Sequence, residues 1–170
     1  MTTDYTTLKP GTIMVTTTGG WLAIWIRLAT FSRVNHAAVF EGVIEGIPTI
    51  IEATPGAGLV RSHADTYPDA LWWRSQPIPD EQRASVARYS ALLLGRKYGF
   101  LDIFALFLNN IGLGWIGWVK YQLKRTDRLI CSQAVTLAET HAGVVLFPNK
   151  VAGAVSPGDI AELIFESENA

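Results

Sequence analysis

Only one cysteine, Cys131, occurs in these 170 residues. No internal disulfide can form, and a disulfide-stapled secreted scaffold is excluded. Excess charge is missing too: lysine and arginine number 14 against 15 aspartates and glutamates, a formal net charge of −1. No basic run is longer than Lys124-Arg125, so the electrostatic footprint of a nucleic-acid binder is absent. The three histidines, His36, His63 and His141, lie far apart, and no Cys/His pair has zinc spacing. Neither a metal site nor a cofactor is therefore expected. The opening Met1-Thr2-Thr3-Asp4 has no cationic start before the first apolar stretch, which argues against a signal peptide. Long hydrophobic runs are lacking as well. The apolar run 21–28 is interrupted by Arg27, and 100–119 holds Asp102, Asn109, Asn110, Gly112, Gly114 and Gly117. Neither approaches the ~18 apolar residues of a spanning helix. The expectation is a soluble chain made in the cytoplasm, with an unusually apolar flank.

Apolar residues are what the sequence does have, at 49%. That is enough for a sizeable core, and the length suits one domain over 1–170. Residues 12–17 are β-branched and strand-like, and Gly19-Gly20 ends them. Residues 21–31 read as a helix that is apolar on more than one face. In a strand over 36–43, His36, Ala38 and Phe40 share one face. Gly46-Ile47-Pro48 turns the chain into a second strand over 49–53, making a hairpin. Short strands are expected at 59–61 and 70–74. A helix opens at Pro79-Asp80-Glu81, runs to about residue 94 and stops at Gly95. Two helical pieces, 100–110 and 115–123, flank a glycine-rich turn. A helix over 129–141 is closed by Gly143, and Ser156-Pro157-Gly158-Asp159 starts a last short helix. Strands and helices in segregated runs predict an α+β fold, a small antiparallel sheet packed against helices.

The chemistry centres on Cys131. Polar residues Arg125-Thr126-Asp127-Arg128 precede it and an apolar periodic pattern follows, so it lies at or near a helix N-terminus. Helix dipole and free N–H groups there favour a thiolate and can hold an oxyanion. The bland alternative, a buried structural cysteine, fits the same residues. A nucleophilic cysteine needs a base. His141 is ten residues on in the same helix, about 15 Å along its axis, and suits the helix C-terminus instead. His63 sits in a polar loop segment. His36, flanked by small residues at a strand start, is the best base by elimination. Glu52, a carboxylate inside the apolar stretch Ile50-Ile51-Glu52-Ala53, can lie beside His36 if the two strands pair, and would orient the imidazole. An outward-facing edge carboxylate is its alternative. Glu41 and Glu45 read as solvated hairpin charges.

The ordered motifs Gly11-Thr12-Ile13, Asn35-His36-Ala37-Ala38-Val39-Phe40, Ile51-Glu52-Ala53, Gly95-Arg96-Lys97-Tyr98-Gly99 and Cys131-Ser132-Gln133 together resemble one family. It is the circularly permuted branch of the NlpC-type papain-fold superfamily, the YiiX-like proteins. The resemblance runs from about Pro10 to Asp159. It implies a permuted papain-like fold with Cys131 as nucleophile, His36 as base and Glu52 as third member, the histidine preceding the cysteine. Tyr98 matches a tyrosine often found after a glycine in that family; it is expected either to line the site or to pack with its hydroxyl at the surface. The family often has Gly-Asp-Ile and Cys-Ser-Glu where this chain has Gly-Thr-Ile and Cys-Ser-Gln; neither change touches the three residues. A bacterial or phage setting is also implied.

Three functions compete. One is a thiol hydrolase acting on an amide, as in cell-wall peptides. Another is a lipid-directed acyl hydrolase or acyltransferase using the same Cys–His pair. The third is a binding domain without catalysis, against which the intact Cys131, His36 and Glu52 argue. Phe100, Phe104 and Trp115, in the segment between Tyr98 and Cys131, are expected to bind an apolar part of the substrate. Peripheral contact with a membrane or lipid follows from the same flank. The bland alternative is a helical hairpin packed into the core.

Overall fold

The computed structural model describes residues 3–73 and 78–168. Seven strands are described: β1 (Ile13–Thr16), β2 (His36–Ile44), β3 (Ile47–Thr54), β4 (Gly58–His63), β5 (Leu71–Trp73), β6 (Lys97–Tyr98) and β7 (Arg128–Leu129). Six α-helices are described: α1 (Trp21–Thr30), α2 (Asp80–Leu92), α3 (Phe100–Leu108), α4 (Gly117–Leu123), α5 (Cys131–His141) and α6 (Pro157–Glu168). The first five strands form one antiparallel sheet in the order β4-β3-β2-β1-β5. The fold is α+β, as the segregated pattern predicts. The strand expected over 70–74 is present as β5; its last residue, Arg74, lies outside the described residues.

The β2–β3 hairpin turns at Glu45-Gly46, both at positive φ (52° and 81°). That is the two-residue connection whose twist matches flanking strands. The turn therefore precedes the expected one, and Ile47 and Pro48 belong to β3. Pro48 is tolerated because it lies before Thr49, where pairing with β4 begins. The first five residues of β2 are all buried, because both faces of the sheet are covered. One face carries Ala37 and Val39 against Val86 of α2, Val135 and Ala138 of α5, and Ile160 and Ile164 of α6. On the other, Met14, Ala38, Phe40 and Ile50 form a smaller cluster with Tyr67 and Trp72.

A second core lies beyond β3 and β4. Ile51, Ala53 and Leu59 meet Ile103 and Leu106 of α3, Val119 and Leu123 of α4, and Leu129, Ile130 and Cys131. β6 and β7 pair in parallel, Lys97 with Arg128 and Tyr98 with Leu129. Gly58 anchors this ladder to the sheet. It has φ +79°, and a Cβ there would collide with the Arg96 carbonyl. The close approach lets Leu59 N–H donate to Arg96 O (2.9 Å) and Gly95 N–H to Leu59 O (3.0 Å).

Several boundaries differ from the expectation. α2 ends at Leu92 rather than 94, and α6 runs 12 residues instead of being short. α5 begins at Cys131, since Arg128 and Leu129 are drawn into β7. The glycine-rich turn between α3 and α4 starts as a π-type turn, Asn109–Leu113, unwound at Gly112 (φ 88°). Glu41 is not a solvated charge: both its oxygens accept from the Arg61 guanidinium at 2.7 Å. Glu45 is exposed, as expected.

Candidate active site

Cys131 is the first residue of α5, after Ile130 as N-cap, a residue whose side chain makes no capping hydrogen bond. The N–H groups of the first turn have no intrahelical partner and receive none from a cap. That turn is pinned from outside: Ser132 Oγ donates to Val155 O (2.7 Å) and Gln133 Nε2 to Arg125 O (2.6 Å). The entry is fixed by the β6–β7 pair, which delivers the chain to Cys131 two residues after Leu129. The sulfur itself is buried at 3% exposure and lies 3.9 Å from the Asn35 carbonyl.

Asn35 explains why that carbonyl is there. Its side chain accepts from Thr18 N–H (2.8 Å) and donates to Thr18 Oγ1 (2.9 Å), locking the chain just before β2. His36 follows as the first residue of β2, on the same face as Ala38 and Phe40. Across the ladder Ala38 faces Glu52, so Glu52 lies on that face, one diagonal step from His36. The two meet: His36 Nε2 and Glu52 Oε2 are 2.5 Å apart, and both side chains are buried. Cys131 acts on the imidazole as hydrogen-bond partner and electrostatically. Nε2 being engaged by Glu52, Nδ1 is the nitrogen left for Cys131. The three residues predicted from sequence are thus brought together in the order Cys131, His36, Glu52.

Burial alone would strip the proton from the His36 imidazole. The hydrogen bonds and electrostatic attraction of Cys131 and Glu52 reverse this and hold its pKa up at about 9. Burial would likewise protonate Glu52. Hydrogen bonds from His36, Ser62 and Tyr67, with the electrostatic attraction of His36, instead hold its carboxyl below the usual range. A charge buried this deeply without partners would cost several kcal/mol, and these contacts together offset that cost.

Two tyrosines close the site. Tyr67 Oη donates to Glu52 Oε2 at 2.7 Å, and its ring lies 5.5 Å from that of His36. Burial, then Glu52, then the sulfur push its hydroxyl well above the ordinary range, so it stays a donor. Tyr98 is buried at 8% exposure, and burial followed by the charge of Cys131 raises its hydroxyl too. It packs in the same core cluster as Leu129, Ile130 and Cys131. Sequence reasoning missed Tyr67, Ser62 and Asn35. Ser62 had a signal: with Glu52 opposite Val60, Ser62 falls two residues along on the same face. Tyr67 had none, coming four residues after β4 through a short 3₁₀ turn, Ala64–Thr66.

The other expected substrate residues divide. Phe100 packs edge-on against Tyr98, centroids 4.9 Å apart. Phe104 instead meets Phe107 and Trp118, and Trp115 is 72% exposed, so both lie on the outer surface of the α3–α4 segment. The segment is neither wholly core nor wholly free: Ile103, Ala105 and Leu106 are buried under it. His63 is exposed. His141 ends α5 and stacks on Tyr89, centroids 3.9 Å apart.

Sequence comparison matches no established family and no curated protein. Comparison with solved structures does find a likeness: the crystal structure of metalloprotein yiiX from Escherichia coli O157:H7, DUF1105. The TM-score is 0.57 at 18% identity, over 79% of this chain. The chain spans 66% of the length of that protein. This is a likeness of fold. Metalloprotein is a description of yiiX; among the described residues of this chain no three of His, Cys, Asp and Glu are grouped so that they could hold a metal ion.

Proposed function

We propose that the chain is a cysteine hydrolase with a permuted papain-like fold, cleaving an amide bond through Cys131, His36 and Glu52. The observation that carries this is the uncapped start of α5 at Cys131 beside a histidine bonded to a buried carboxylate. The fold likeness to yiiX agrees with the YiiX-like resemblance of the motifs. Cell-wall peptides are the substrate class that this resemblance favours.

In this reading the sulfur attacks the amide carbonyl as a thiolate. The carbonyl π electrons move to oxygen, and the oxyanion is met by the backbone N–H groups at the start of α5. His36, as an imidazolium, gives its proton to the departing amine as the C–N bond breaks, leaving a thioester on Cys131. Water then attacks the thioester, His36 taking its proton as general base. The C–S bond breaks, the acid leaves and the thiolate–imidazolium pair is restored. Glu52 holds the ring with Nδ1 toward the sulfur and offsets its positive charge.

A second reading keeps the same residues but takes an acyl ester or a lipid acyl group. It is favoured by Phe100, which continues the buried Tyr98 outward as an apolar wall, at 50% exposure. One experiment tests the chemistry for both. Native protein is incubated with a series of peptide amides and acyl esters, quenched in acid, and mapped by mass spectrometry. An acyl adduct on the peptide containing Cys131, absent from Cys131→Ser, is expected. Turnover that persists in Cys131→Ala would overturn the proposal. Amide and ester rates across the series choose between the readings.

A further inference from the structure

Two neighbouring helices turn apolar faces outward. On α1, Ala23, Ile26 and Ala29 are buried, and Ile26 packs with Ile103 and Leu106 of α3. Its opposite stripe is apolar as well: Trp21, Ile24, Trp25, Leu28 and Phe31 are each at least half exposed, between 50% and 77%. A helix serving only a core has a polar outer face. α3 repeats the pattern, with Phe100, Leu101 and Phe104 exposed opposite its buried Ile103 and Leu106. Asn110 Nδ2 donates to Ala29 O at 3.0 Å, tying the end of α3 to α1. Trp115, Trp118 and Tyr121 extend the exposed apolar surface into the turn and α4, Trp118 lying 6.2 Å from Phe104. Contiguous exposed surface of this kind marks an interaction site.

Charge identifies the occupant. Segments 17–35 and 103–124 contain Arg27, Arg33, Lys120 and Lys124 and no aspartate or glutamate, in a chain whose net charge is −1; of the bordering acids, Asp102 is buried and Asp127 is paired with Arg125. Exposed Trp, Phe and Tyr with Lys and Arg interspersed along the same helices are the composition of a surface that lies in a lipid–water interface. Anionic headgroups complement those cations. A second copy of this chain would set the same cations against themselves. Spanning is not at issue, since among the described residues no helix is long and apolar enough to cross a membrane.

We infer that the face formed by α1, α3 and α4 docks on the surface of an anionic lipid bilayer. The aromatic stripes enter the interface, and Arg27, Arg33, Lys120 and Lys124 meet the headgroups. Docking does not depend on the reaction proposed above.

The test is flotation of the full chain with vesicles of phosphatidylcholine alone and of phosphatidylcholine containing phosphatidylglycerol, with tryptophan emission recorded in parallel. Anionic vesicles should bind it about tenfold more tightly than neutral ones, with a blue shift in emission. Trp25→Ser with Leu28→Ser should lose most binding to both. Lys120→Glu with Lys124→Glu should lose only the anionic preference. Circular dichroism verifies that these surface variants are folded. Cys131→Ala should bind like the wild type, so that a failed hydrolase assay leaves this result standing. No flotation with either vesicle would overturn the inference. So would equal binding by all variants, or a concentration-dependent dimer by light scattering without vesicle binding.

Discussion

Tyr67 and His36 share one oxygen. The phenolic hydroxyl donates to Glu52 Oε2 at 2.7 Å, and His36 Nε2 meets the same atom at 2.5 Å. Tyr67 touches no reacting atom in the proposed mechanism; it positions the carboxylate that positions the base. Tyr67→Phe removes one of the donors holding Glu52 ionised. It should lower kcat roughly tenfold with KM unchanged, since a single hydrogen bond to a charged group is worth about 1.5–3 kcal/mol. An unchanged kcat would remove Tyr67 from the site.

Glu52→Gln keeps the shape and deletes the charge. It should cut kcat by about 10²–10⁴, the range in which an orienting carboxylate acts. It should also move the alkaline limb of activity. His36 is held at about 9 partly by Glu52, so losing that charge lowers its proton affinity. The imidazolium then disappears at lower pH, and the limb shifts downward. Activity against pH for the two proteins checks the sign.

How much of this was readable before folding depends on how local each signal is. The β2–β3 hairpin put Glu52 within reach of His36 because period-two alternation and a tight turn are local features. The start of α5 at Cys131 was approximately visible from the polar-to-apolar change. β6 and β7 were invisible: two-residue strands carry no period, and they exist because Gly58 lets the chain approach β4. Tyr67 and Asn35 reach the site through irregular backbone, where spacing says nothing about direction. The outward stripes of α1 and α3 were half seen, as helices apolar on more than one face. Which face would stay uncovered is decided by tertiary packing.

Glu139 offers a test of stability away from the site. It is fully buried, its carboxylate oxygens have no hydrogen-bond partner among the described residues, and burial, only partly offset by Arg83, raises its pKa to about 8 from 4.5. The folded state therefore prefers the protonated form, and the unfolded state releases the proton first. The contribution to stability is whole below about pH 4.5 and is lost as pH rises toward about 8. The loss amounts to roughly 5 kcal/mol at most. Glu139→Gln should melt close to the wild type in acid and clearly higher above pH 8. A variant no more stable at alkaline pH would contradict it.

His36 contributes in a later window with the same sign. Its proton is held to about 9 in the fold against 6.5 in the unfolded chain. The gain, roughly 3 kcal/mol, is present below about 6.5 and lost as pH rises through about 9. His36→Ala should flatten the fall in melting temperature across that interval, while leaving the Glu139-dependent fall in place.

The central claim is that Cys131 is a nucleophile made reactive by His36. Its most direct measurement is the rate of alkylation by iodoacetamide at pH 7, site-mapped by mass spectrometry, for the native wild type, His36→Ala and a peptide spanning Cys131. The account predicts that the wild type reacts faster than the peptide, and that His36→Ala loses this advantage while still folded. A wild-type rate no faster than that of the peptide, or one unchanged by His36→Ala, would contradict it.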